Sequence, residues 1–527
     1  MRDLLLSISA LSLLVSASPA PAAPDELGTV QFPTSCSAAA QPVIVTGVAL
    51  LHSFQYQLAD QTFSDAAQRD PHCAMAHWGK AMSLYHQLWD FPQPDTLADG
   101  RKQLDQAQKL GAATEFERLY IAAAAAFFQD DPKLTHLART QSYSAALAKL
   151  HAQFPDDVEA SAFYALSLVA LAYEDQPNET ADRKAAIAIL QPLLQSHPDD
   201  PGVAHYLIHA TDTPELAPQG LEAARRYAKI APDSSHAIHM PSHIFVRLGL
   251  WQESIASNIA ARDSGARAAE MHHAESHYQT HAMDFLNYSY LQSGQEARAR
   301  EVIAAEQSVV GASDEDKADH AAELAARTAI ELHRWKEAAS LPVPNVRLLW
   351  QDSSYWARVI GAARSGDPVA ARSDVEKLKE TVAAREKHAK EEGYEVPAEK
   401  ATDLREAEAW LLFSEGKSDQ ALGEMRAAAD REDKNGYDSL AIPAREMLAD
   451  MLLELHRPAD ALAEYKLALK KSPNRFDSLY GAAQSARAAG DASAARQYDA
   501  KLVEVCGPTA DRPELRSVKS ELSARSH

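Results

Sequence analysis

The sequence predicts an all-α fold made of helix-turn-helix units stacked into a solenoid, and three observations lead to that prediction. The 527 residues are rich in Ala and Leu but include only 20 Gly, a composition that favours helices. A short turn motif recurs along the chain, and a small residue follows each turn at a fixed distance. The last complete unit is 34 residues long, which is the period of tetratricopeptide (TPR) repeats.

Each predicted turn is marked by Gly or His, with Ala or Ser five positions later. The markers are Gly249, Gly294, His333, Gly366, Gly416, His456 and Gly490. Longer intervals between some of them indicate insertions into the same unit. A pair of short helices cannot bury its apolar stripe alone, so neighbouring pairs stack, with small residues where the helices approach closely. We therefore expect one elongated, TPR-like, right-handed superhelix, whose first helices line a concave surface, in place of three or four globular domains.

The N-terminal segment predicts export. A mainly apolar stretch, Leu4 to Val15, is followed by small residues and Pro up to Ala23, the pattern of a secretory signal with an A-x-A cleavage site. The stretch is too short to span a bilayer as a helix. The expected segments are a signal peptide (1–23), an N-terminal linker (24–44), TPR-like repeats with a His-rich groove (45–310), C-terminal TPR repeats (311–507) and a tail (508–527).

Charge and cysteine content restrict the partners and the compartment. The formal charge of −22, from 52 Lys+Arg and 74 Asp+Glu, disfavours nucleic acid and anionic membranes, which would repel the chain. No integral membrane segment is expected after signal cleavage. The three cysteines, Cys36, Cys73 and Cys506, lack metal-knuckle spacing and allow at most one disulfide. Cys36 and Cys73 can pair in an oxidising compartment, but the sequence leaves their pairing open.

Histidines are concentrated in one part of the chain, where nine of the 21 lie between His205 and His281. They include three pairs at i and i+4 on consecutive inner helices, a spacing that points both imidazoles of a pair to one helix face. Adjacent inner helices lie about 10 Å apart, so the pairs can converge. Three or four neutral imidazoles, often with a carboxylate, form a transition-metal site for which Zn or Cu is favoured. The candidate ligands are His205, His209, His236, His239, His243, His277, His281 and Asp284.

Other residues near this cluster have more than one interpretation. Asp284 can be a ligand or an acceptor that orients an imidazole, and Asp212 and Glu275 are weaker candidates. His272 and His273 lie in an insertion and can form a flap or add ligands. A hydrogen-bonded polar groove without metal, or a chance grouping of histidines, are the alternatives to a metal site.

Pro241 interrupts the middle pair. Proline lacks an N–H and disfavours helical dihedrals in the residue before it. We therefore expect a helix to begin at Pro241, Met240 to leave the helical region, and His239 to point differently from a regular i, i+4 partner.

Histidines outside the pairs carry weaker signals. His52, His77 and His86 form a weaker second candidate cluster, because they show no clear i, i+4 pairing. The mixed-charge run Glu376–Lys400 is interpreted as a lengthened, solvated helix followed by a loop. Histidines interpreted as packing or surface residues are His72, His77, His136, His151, His197, His320, His333, His388, His456 and His527.

Several segments together resemble a group of exported bacterial tetratricopeptide-repeat proteins that carry the histidine motifs HYLIH and HMPSHIF. The segments are His205–His209, His239–Phe245 with Leu248, Gly249 and Trp251, Leu51–Phe54, Asp70–Pro71 and Ala74–Gly79. The resemblance covers roughly residues 45–310, and only generic repeat features follow. It implies an all-helical repeat fold, a bacterial periplasmic or secreted setting and the two motifs as a hallmark, without a settled activity.

Two functional hypotheses follow. The chain lacks a Gly-rich phosphate loop, a G-x-S-x-G elbow and an activating motif around its cysteines, which disfavours nucleotide-dependent and Ser or Cys nucleophile chemistry. The first hypothesis is an exported TPR scaffold that binds a protein or peptide in its concave groove and carries a transition-metal site there. The second is a metalloenzyme, hydrolytic or copper-oxidative, that uses the same histidines. A purely structural metal is equally consistent with the sequence.

Overall fold

The protein is described here by a computed structural model that covers residues 26–89, 91–174, 177–270, 276–392, 402–436 and 439–524. Within these ranges the regular structure is helical and no β-strand occurs, which confirms the all-α prediction. Two short 3-10 helices lie at Glu306–Ser308 and Leu348–Trp350. The α-helices are α1 (Gln41–His52), α2 (Tyr56–Arg69), α3 (Ala74–Met82), α4 (Pro94–Leu110), α5 (Glu115–Phe127), α6 (His136–Gln153), α7 (Val158–Glu174), α8 (Glu179–Ser196), α9 (Pro201–Thr211), α10 (Ala217–Ile230), α11 (Ser235–His239), α12 (Pro241–Arg247), α13 (Trp251–Glu270), α14 (His277–Gln292), α15 (Glu296–Ala305), α16 (Asp314–Glu331), α17 (Trp335–Ala339), α18 (Asp352–Arg364), α19 (Pro368–Glu392), α20 (Asp403–Ser414), α21 (Ser418–Asn435), α22 (Ala444–Glu454), α23 (Pro458–Lys471), α24 (Phe476–Ala488), α25 (Ala492–Cys506) and α26 (Glu514–Ala524).

Consecutive helices form the repeat units. α1 packs with α2, α3 with α4, α5 with α6 and α7 with α8, and the same pairing continues through α24 with α25. Each pair also packs on the next pair along the chain. The fold is therefore a TPR-like helix-turn-helix repeat array. None of the helices in the described ranges is both long and apolar enough to cross a membrane.

The turns lie where the sequence predicts them. All seven markers have a left-handed backbone, with φ between 53° and 84°, a region in which glycine carries no steric penalty. The small residue five positions after each marker is at most 3% exposed because it lies between packed helices. These residues are Ser254, Ala299, Ala338, Ala371, Ala421, Ala461 and Ala495.

Gly249, between α12 and α13, shows why one of these positions needs glycine. Its φ is +64°, and a Cβ there would lie 2.3 Å from the carbonyl oxygen of Pro473. The indole N–H of Trp251 donates to the carbonyl oxygen of Asn474 at 2.9 Å, across 223 positions of sequence. The middle of the chain is therefore in direct contact with its C-terminal repeats.

The array folds back on itself more than the predicted elongated solenoid would. α1 packs against α9, and α14 packs against α24. Residues from 26 to the start of α1, predicted as part of a linker, lie against the repeats: the N–H of Thr29 donates to Asp199 O at 2.9 Å, and Phe32 is 1% exposed. Phe32 stacks on Trp78 with ring centroids 5.2 Å apart. Burial of this aromatic ring holds the segment on the core.

The C-terminal segment also differs from the predicted tail. It contains α26, and the Asp511 carboxylate accepts from the N–H of Glu296 at 2.7 Å, at the start of α15. Arg512 is 2% exposed and its guanidinium donates to Asp477 at 3.0 Å. A buried ion pair and a helix cap thus hold residues up to α26 against the array.

Cys36 and Cys73 form a disulfide, the pairing that the sequence left open, while Cys506 is free and buried. The bond joins the segment before α1 to the residue that precedes α3. We expect the double variant Cys36→Ser/Cys73→Ser to lose about 3 kcal/mol of unfolding free energy, because the disulfide restricts the unfolded chain. Chemical denaturation of oxidised and variant protein measures the loss. An unchanged unfolding free energy would contradict the prediction.

Arg475 connects the C-terminal repeats to the middle of the chain. Its side chain is 0% exposed and donates to Glu331 at 2.9 Å, to Glu446 at 2.7 Å and to the Tyr288 hydroxyl at 2.7 Å. These three residues belong to α16, α22 and α14. The buried ion pairs therefore fix how three repeats meet.

We expect Arg475→Met to lower the unfolding free energy by about 3–5 kcal/mol, because it leaves buried carboxyl groups without their cation. The matched control is Arg457→Met, whose arginine pairs with Asp460 at the surface with 48% of its side chain exposed, and which should change stability by less than about 0.5 kcal/mol. Urea unfolding followed by circular dichroism measures both. Equal losses in the two variants would show that the buried bridge does not hold the repeats together.

Candidate metal centre

Six histidines on α9, α11, α12 and α14 form two groups of three. Triad A is His205, His209 and His236, and triad B is His239, His243 and His281. In each triad, one ring nitrogen of every histidine lies within 4.8 Å of the other two. Both groups, found among the described residues, contain histidines only.

The two triads are built in the same way. Each contains one i, i+4 pair and one histidine from the next inner helix. In triad A the pair lies on α9 and α11 supplies His236, whereas in triad B the pair spans α11 and α12 and α14 supplies His281. The five-residue helix α11 therefore contributes one histidine to each triad.

The shortest distances within the triads suit a metal. Nε2 of His205 lies 3.1 Å from Nε2 of His209 and 3.1 Å from Nε2 of His236. Nε2 of His239 lies 3.1 Å from Nε2 of His243. Ligand nitrogens of a tetrahedral ion with bonds of about 2.0–2.1 Å are about 3.3 Å apart. Small side-chain movements would bring each group into coordination distance.

The sequence of α9 explains how its histidines are placed. The Asp200 carboxylate caps the helix by accepting from the N–H of Val203 at 2.9 Å, and Pro201 occupies the first turn. Gly202 allows α1 to come close, since a Cβ there would lie 2.4 Å from Nδ1 of His52. The end of α1 is thereby brought against triad A.

The junction of α11 and α12 differs in part from prediction. A helix begins at Pro241, as expected. Met240, however, keeps helical dihedrals of φ −51° and ψ −35°, so the expectation that it would leave the helical region is wrong. Because the helical phase continues through Met240, His239 and His243 stay on one face, and the expected reorientation of His239 does not occur.

Hydrogen bonds fix the tautomers in triad B. Nδ1 of His239 lies 2.8 Å from Oδ1 of Asn258, whose Nδ2 donates to Ser254 O at 2.8 Å, so the amide presents its oxygen to the imidazole. Nδ1 of His243 lies 2.9 Å from the Asp212 carboxylate. Both Nδ1 atoms therefore carry a proton, and in the uncharged form of each ring Nε2 is left with a lone pair.

Nε2 of His239 and Nε2 of His243 therefore face each other across 3.1 Å. Burial, together with neighbouring His281 and His243, holds the pKa of His239 well below its usual value. The imidazole of His239 is therefore uncharged at neutral pH, which is the form that binds a metal. A transition-metal cation held by His239 and His243 would be bound by both Nε2 atoms.

Triad A is more buried than triad B, and a backbone carbonyl orients one of its imidazoles. Nδ1 of His205 donates to the carbonyl oxygen of His52 at 2.6 Å, so its Nε2 lone pair points at His209 and His236. Burial lowers the pKa of His205 to about 3 and that of His209 and His236 well below the usual value. Nδ1 of His209 is buried without a hydrogen-bond partner. All three imidazoles are therefore neutral near pH 7.

His52 supports triad A without being a candidate ligand. Its Nδ1 lies 2.8 Å from the Tyr206 hydroxyl, and its Nε2 lies 2.7 Å from the Glu159 carboxyl. Burial lowers the pKa of His52 to about 4 and raises that of Glu159 to about 8, so the two meet as uncharged groups at neutral pH. Both ring nitrogens are committed, which leaves only the carbonyl oxygen of His52 to act on His205.

One phenylalanine packs against all three imidazoles of each triad. Phe54 lies against triad A, with ring centroids 4.4, 5.6 and 5.7 Å from those of its histidines. Phe285 lies against triad B at 4.8, 4.7 and 5.2 Å. Phe54 has a left-handed φ of 54°, and its carbonyl oxygen accepts from the Tyr278 hydroxyl at 2.8 Å. The aromatic rings restrict the rotamers of the imidazoles.

The two triads differ in exposure. His205, His209 and His236 are at most 5% exposed. His281 of triad B is exposed, and 15% of the His243 side chain is exposed. Triad B is therefore the one that solvent or a small molecule can reach directly.

The remaining predicted site residues lie apart from the triads. Asp284 forms an ion pair with Arg327, because its carboxylate points to α16 rather than to the imidazoles. His277, the exposed first residue of α14, stacks on Tyr278 with centroids 4.0 Å apart and belongs to neither triad. The weaker candidates His272, His273 and Glu275 lie outside the described residues.

The weaker N-terminal cluster is not formed. His77 bonds Gln103 through Nδ1 at 2.8 Å, and His86 stacks on Tyr56 with centroids 4.2 Å apart. His52 lies at triad A instead. Asp212 acts through His243, and it also accepts from Arg247 Nε at 2.9 Å.

Sequence reasoning missed Asn258, Phe54 and Phe285 as parts of the site. Asn258 and Phe285 lie at no distinctive spacing from the histidines they contact. Phe54 follows His52 in a motif of the resembling group, and that proximity was the one available signal.

No protein-family model and no curated protein matches the sequence. Among solved structures, the chain is similar to the human IFIT1 dimer with PPP-AAAA, at 12% identity and a TM-score of 0.37, over 88% of this chain and 91% of that one. It is also similar to the human IFIT1 dimer with m7Gppp-AAAA, at 14% identity and a TM-score of 0.37, over 87% and 95%. The APC/C hetero-tetramer Cut9-Hcn1 is similar at 10% identity and a TM-score of 0.32, over 92% and 90%. The TPR-like assignment rests on the helix pairs and turns of the chain itself.

We expect Asp212→Asn to weaken transition-metal binding by about 10- to 100-fold, because it removes the charge of the acceptor that holds the Nδ1 proton of His243. Competition with a chelator of known affinity measures the change. The control is Asp65→Asn, which removes a half-exposed partner of Arg69 and should leave metal affinity unchanged. Equal affinities of all three proteins would exclude a role for Asp212 in orienting the ligand.

Proposed function

We propose that the chain is an exported helical-repeat protein that binds a transition metal, zinc or copper, at its histidine triads. The facing Nε2 atoms of His239 and His243 carry the proposal, because both Nδ1 protons are committed to acceptors and the two lone pairs lie 3.1 Å apart. Without a metal ion or a further proton between them, the two lone pairs repel each other. Coordination of one ion satisfies both nitrogens at once.

The ligand type supports zinc or copper. Imidazole nitrogen suits both metals, whereas Mg²⁺ and Ca²⁺ prefer oxygen ligands. The acceptors behind the imidazoles are an amide, a carboxylate and a backbone carbonyl, the groups that commonly orient metal-bound histidines.

We also propose the exported bacterial setting, periplasmic or secreted, that the sequence predicts. The signal-like segment before residue 24 supports it, as does the Cys36–Cys73 disulfide, a bond that persists in oxidising compartments. Membership in the exported bacterial TPR group belongs to the same proposal. The motifs HYLIH and HMPSHIF supply four of the six triad histidines, which gives a physical reason for these sequences.

A protein or peptide partner in the concave groove stays a prediction from the repeat class. If such a partner binds, burial separates it from triad A, because His205, His209 and His236 are at most 5% exposed. The metal of triad A and the groove are then separate functions of the array.

Catalysis at triad B is a second candidate function, and the exposure of His281 favours it. Three histidines leave a fourth coordination position for water or dioxygen. The chemistry would be hydrolytic or copper-oxidative.

We expect full-length protein purified without a histidine tag to retain Zn or Cu after dialysis, and His243→Gln to lose the metal of triad B. Elemental analysis per chain measures both. The control is His77→Gln, which changes a half-buried histidine outside the triads and should keep the wild-type metal content.

Equal metal content in the wild type, His243→Gln and His77→Gln would contradict the proposal. Removing the metal with a chelator should lower the melting temperature, since binding free energy to the folded state adds to stability. Turnover that returns only with metal would favour the catalytic role over a structural one.

A further inference from the structure

We propose that triads A and B together form one binuclear copper centre that binds dioxygen between its two ions. This inference rests on the proposed metal-binding function and specifies the number of ions, the metal and the small-molecule ligand. It is carried by the relation between the two triads, which neither triad alone reveals.

The first observation is the repeated construction. Each triad combines an i, i+4 pair with one histidine of the next inner helix, and each has one phenylalanine against all three rings. In each pair the first histidine donates Nδ1–H to an oxygen, His205 to a backbone carbonyl and His239 to an amide. A single mononuclear metal site would need only one such triad, whereas the chain builds the same arrangement twice on adjacent helices.

The second observation is the distance between the triads. The ring centroids of His236 and His239 are 6.4 Å apart, and those of His209 and His243 are 6.3 Å apart. An ion bonded to Nε2 at about 2.0–2.1 Å lies about 3 Å from the ring centroid. The facing rings of the two triads thus lie no farther apart than His209 and His236 do within triad A, where the centroids are 6.4 Å apart, so the two metal positions adjoin each other.

The third observation is charge. Imidazole binds a metal as the neutral ring, so the six ligands bring no negative charge, and the closest carboxylate behind them, Asp212, is already paired with Arg247 at 2.9 Å. Two divalent ions would bring four uncompensated positive charges into a largely buried site, at a high desolvation cost. Two Cu(I) ions bring only two charges, and copper accepts imidazole ligands readily.

This charge argument also indicates the ligand. Each Cu(I) gives one electron to dioxygen, which becomes a peroxide dianion bonded to two Cu(II) ions. The O–O bond order falls from two to one, two Cu–O bonds form, and no proton or outside reductant is needed. The total charge of the site remains +2, so oxidation adds no further charge to the buried cluster. Exposed His281 and exposed Trp89, whose ring lies 6.0 Å from that of His209, are the parts of the two triads' surroundings that solvent reaches.

The test uses the full chain without a histidine tag, loaded with Cu(I) under anaerobic conditions and freed of excess metal. We expect about two copper ions per chain in the wild type and about one in His236→Gln or His281→Gln, each of which disables one triad. On exposure to air, the wild type alone should then take up about one dioxygen per two copper ions. The oxidised wild type should give little Cu(II) paramagnetic resonance signal, because the bridge couples the two spins, whereas each variant should give the signal of an isolated Cu(II).

His77→Gln is the matched control and should behave as wild type, and circular dichroism checks that every variant is folded. Two copper ions with the full signal of independent Cu(II) would overturn the shared centre and leave the metal-binding function standing. One metal per chain, or binding of Zn²⁺ without Cu(I), would do the same. Absence of any bound transition metal would overturn both proposals.

Discussion

The contact between Nε2 of His239 and Nε2 of His243, held at 3.1 Å while both Nδ1 atoms bond oxygen acceptors, is the constraint on which the rest of the site depends. The Nδ1 proton of His239 is held by Asn258 on α13, and the Nδ1 proton of His243 is held by Asp212, the residue that follows α9. Turning either ring over would break its hydrogen bond to Asn258 or to Asp212, at a cost of about 0.5–3 kcal/mol. The lone pairs are therefore kept facing each other, and a cation makes the arrangement favourable.

The fold-back of the array supplies the surroundings that this constraint needs. Packing of α1 on α9 brings the carbonyl oxygen of His52 to His205 and places Phe54 under triad A. Phe54 adopts a left-handed backbone, which costs about 1–3 kcal/mol for a residue with a Cβ. Burial of its ring and the hydrogen bond from Tyr278 stabilise that turn. A straight array would leave triad A without this cover.

Features with local periodicity could be predicted from the sequence. The turn markers recur along the chain, a small residue follows each of them at the same offset, and both are where they were expected. The i, i+4 pairs of α9 and of α11 with α12 were visible for the same reason. His277 also stands four positions from His281, yet it lies at the exposed end of α14, because spacing alone does not say where a helix starts.

Features that depend on contacts between distant residues could not be predicted. Arg475 reaches Glu331 across 144 positions and Tyr288 across 187, and no local pattern marks such a bridge. Asp284 was a plausible ligand by spacing, but Arg327 on the neighbouring helix α16 pairs with it. Asn258 orients His239 from α13, a helix that contains no histidine. The packing of α1 on α9 and the acceptors that orient the imidazoles are therefore visible only in the three-dimensional structure.

X-ray absorption at the metal edge of the protein as purified tests the central claim most directly. The account predicts that about three histidine nitrogens surround each ion at about 2.0–2.1 Å, with the multiple-scattering pattern of imidazole rings. Sulfur ligands, an all-oxygen shell, or an edge signal that persists after His243→Gln and His236→Gln are combined would contradict the claim that the two triads hold the metal.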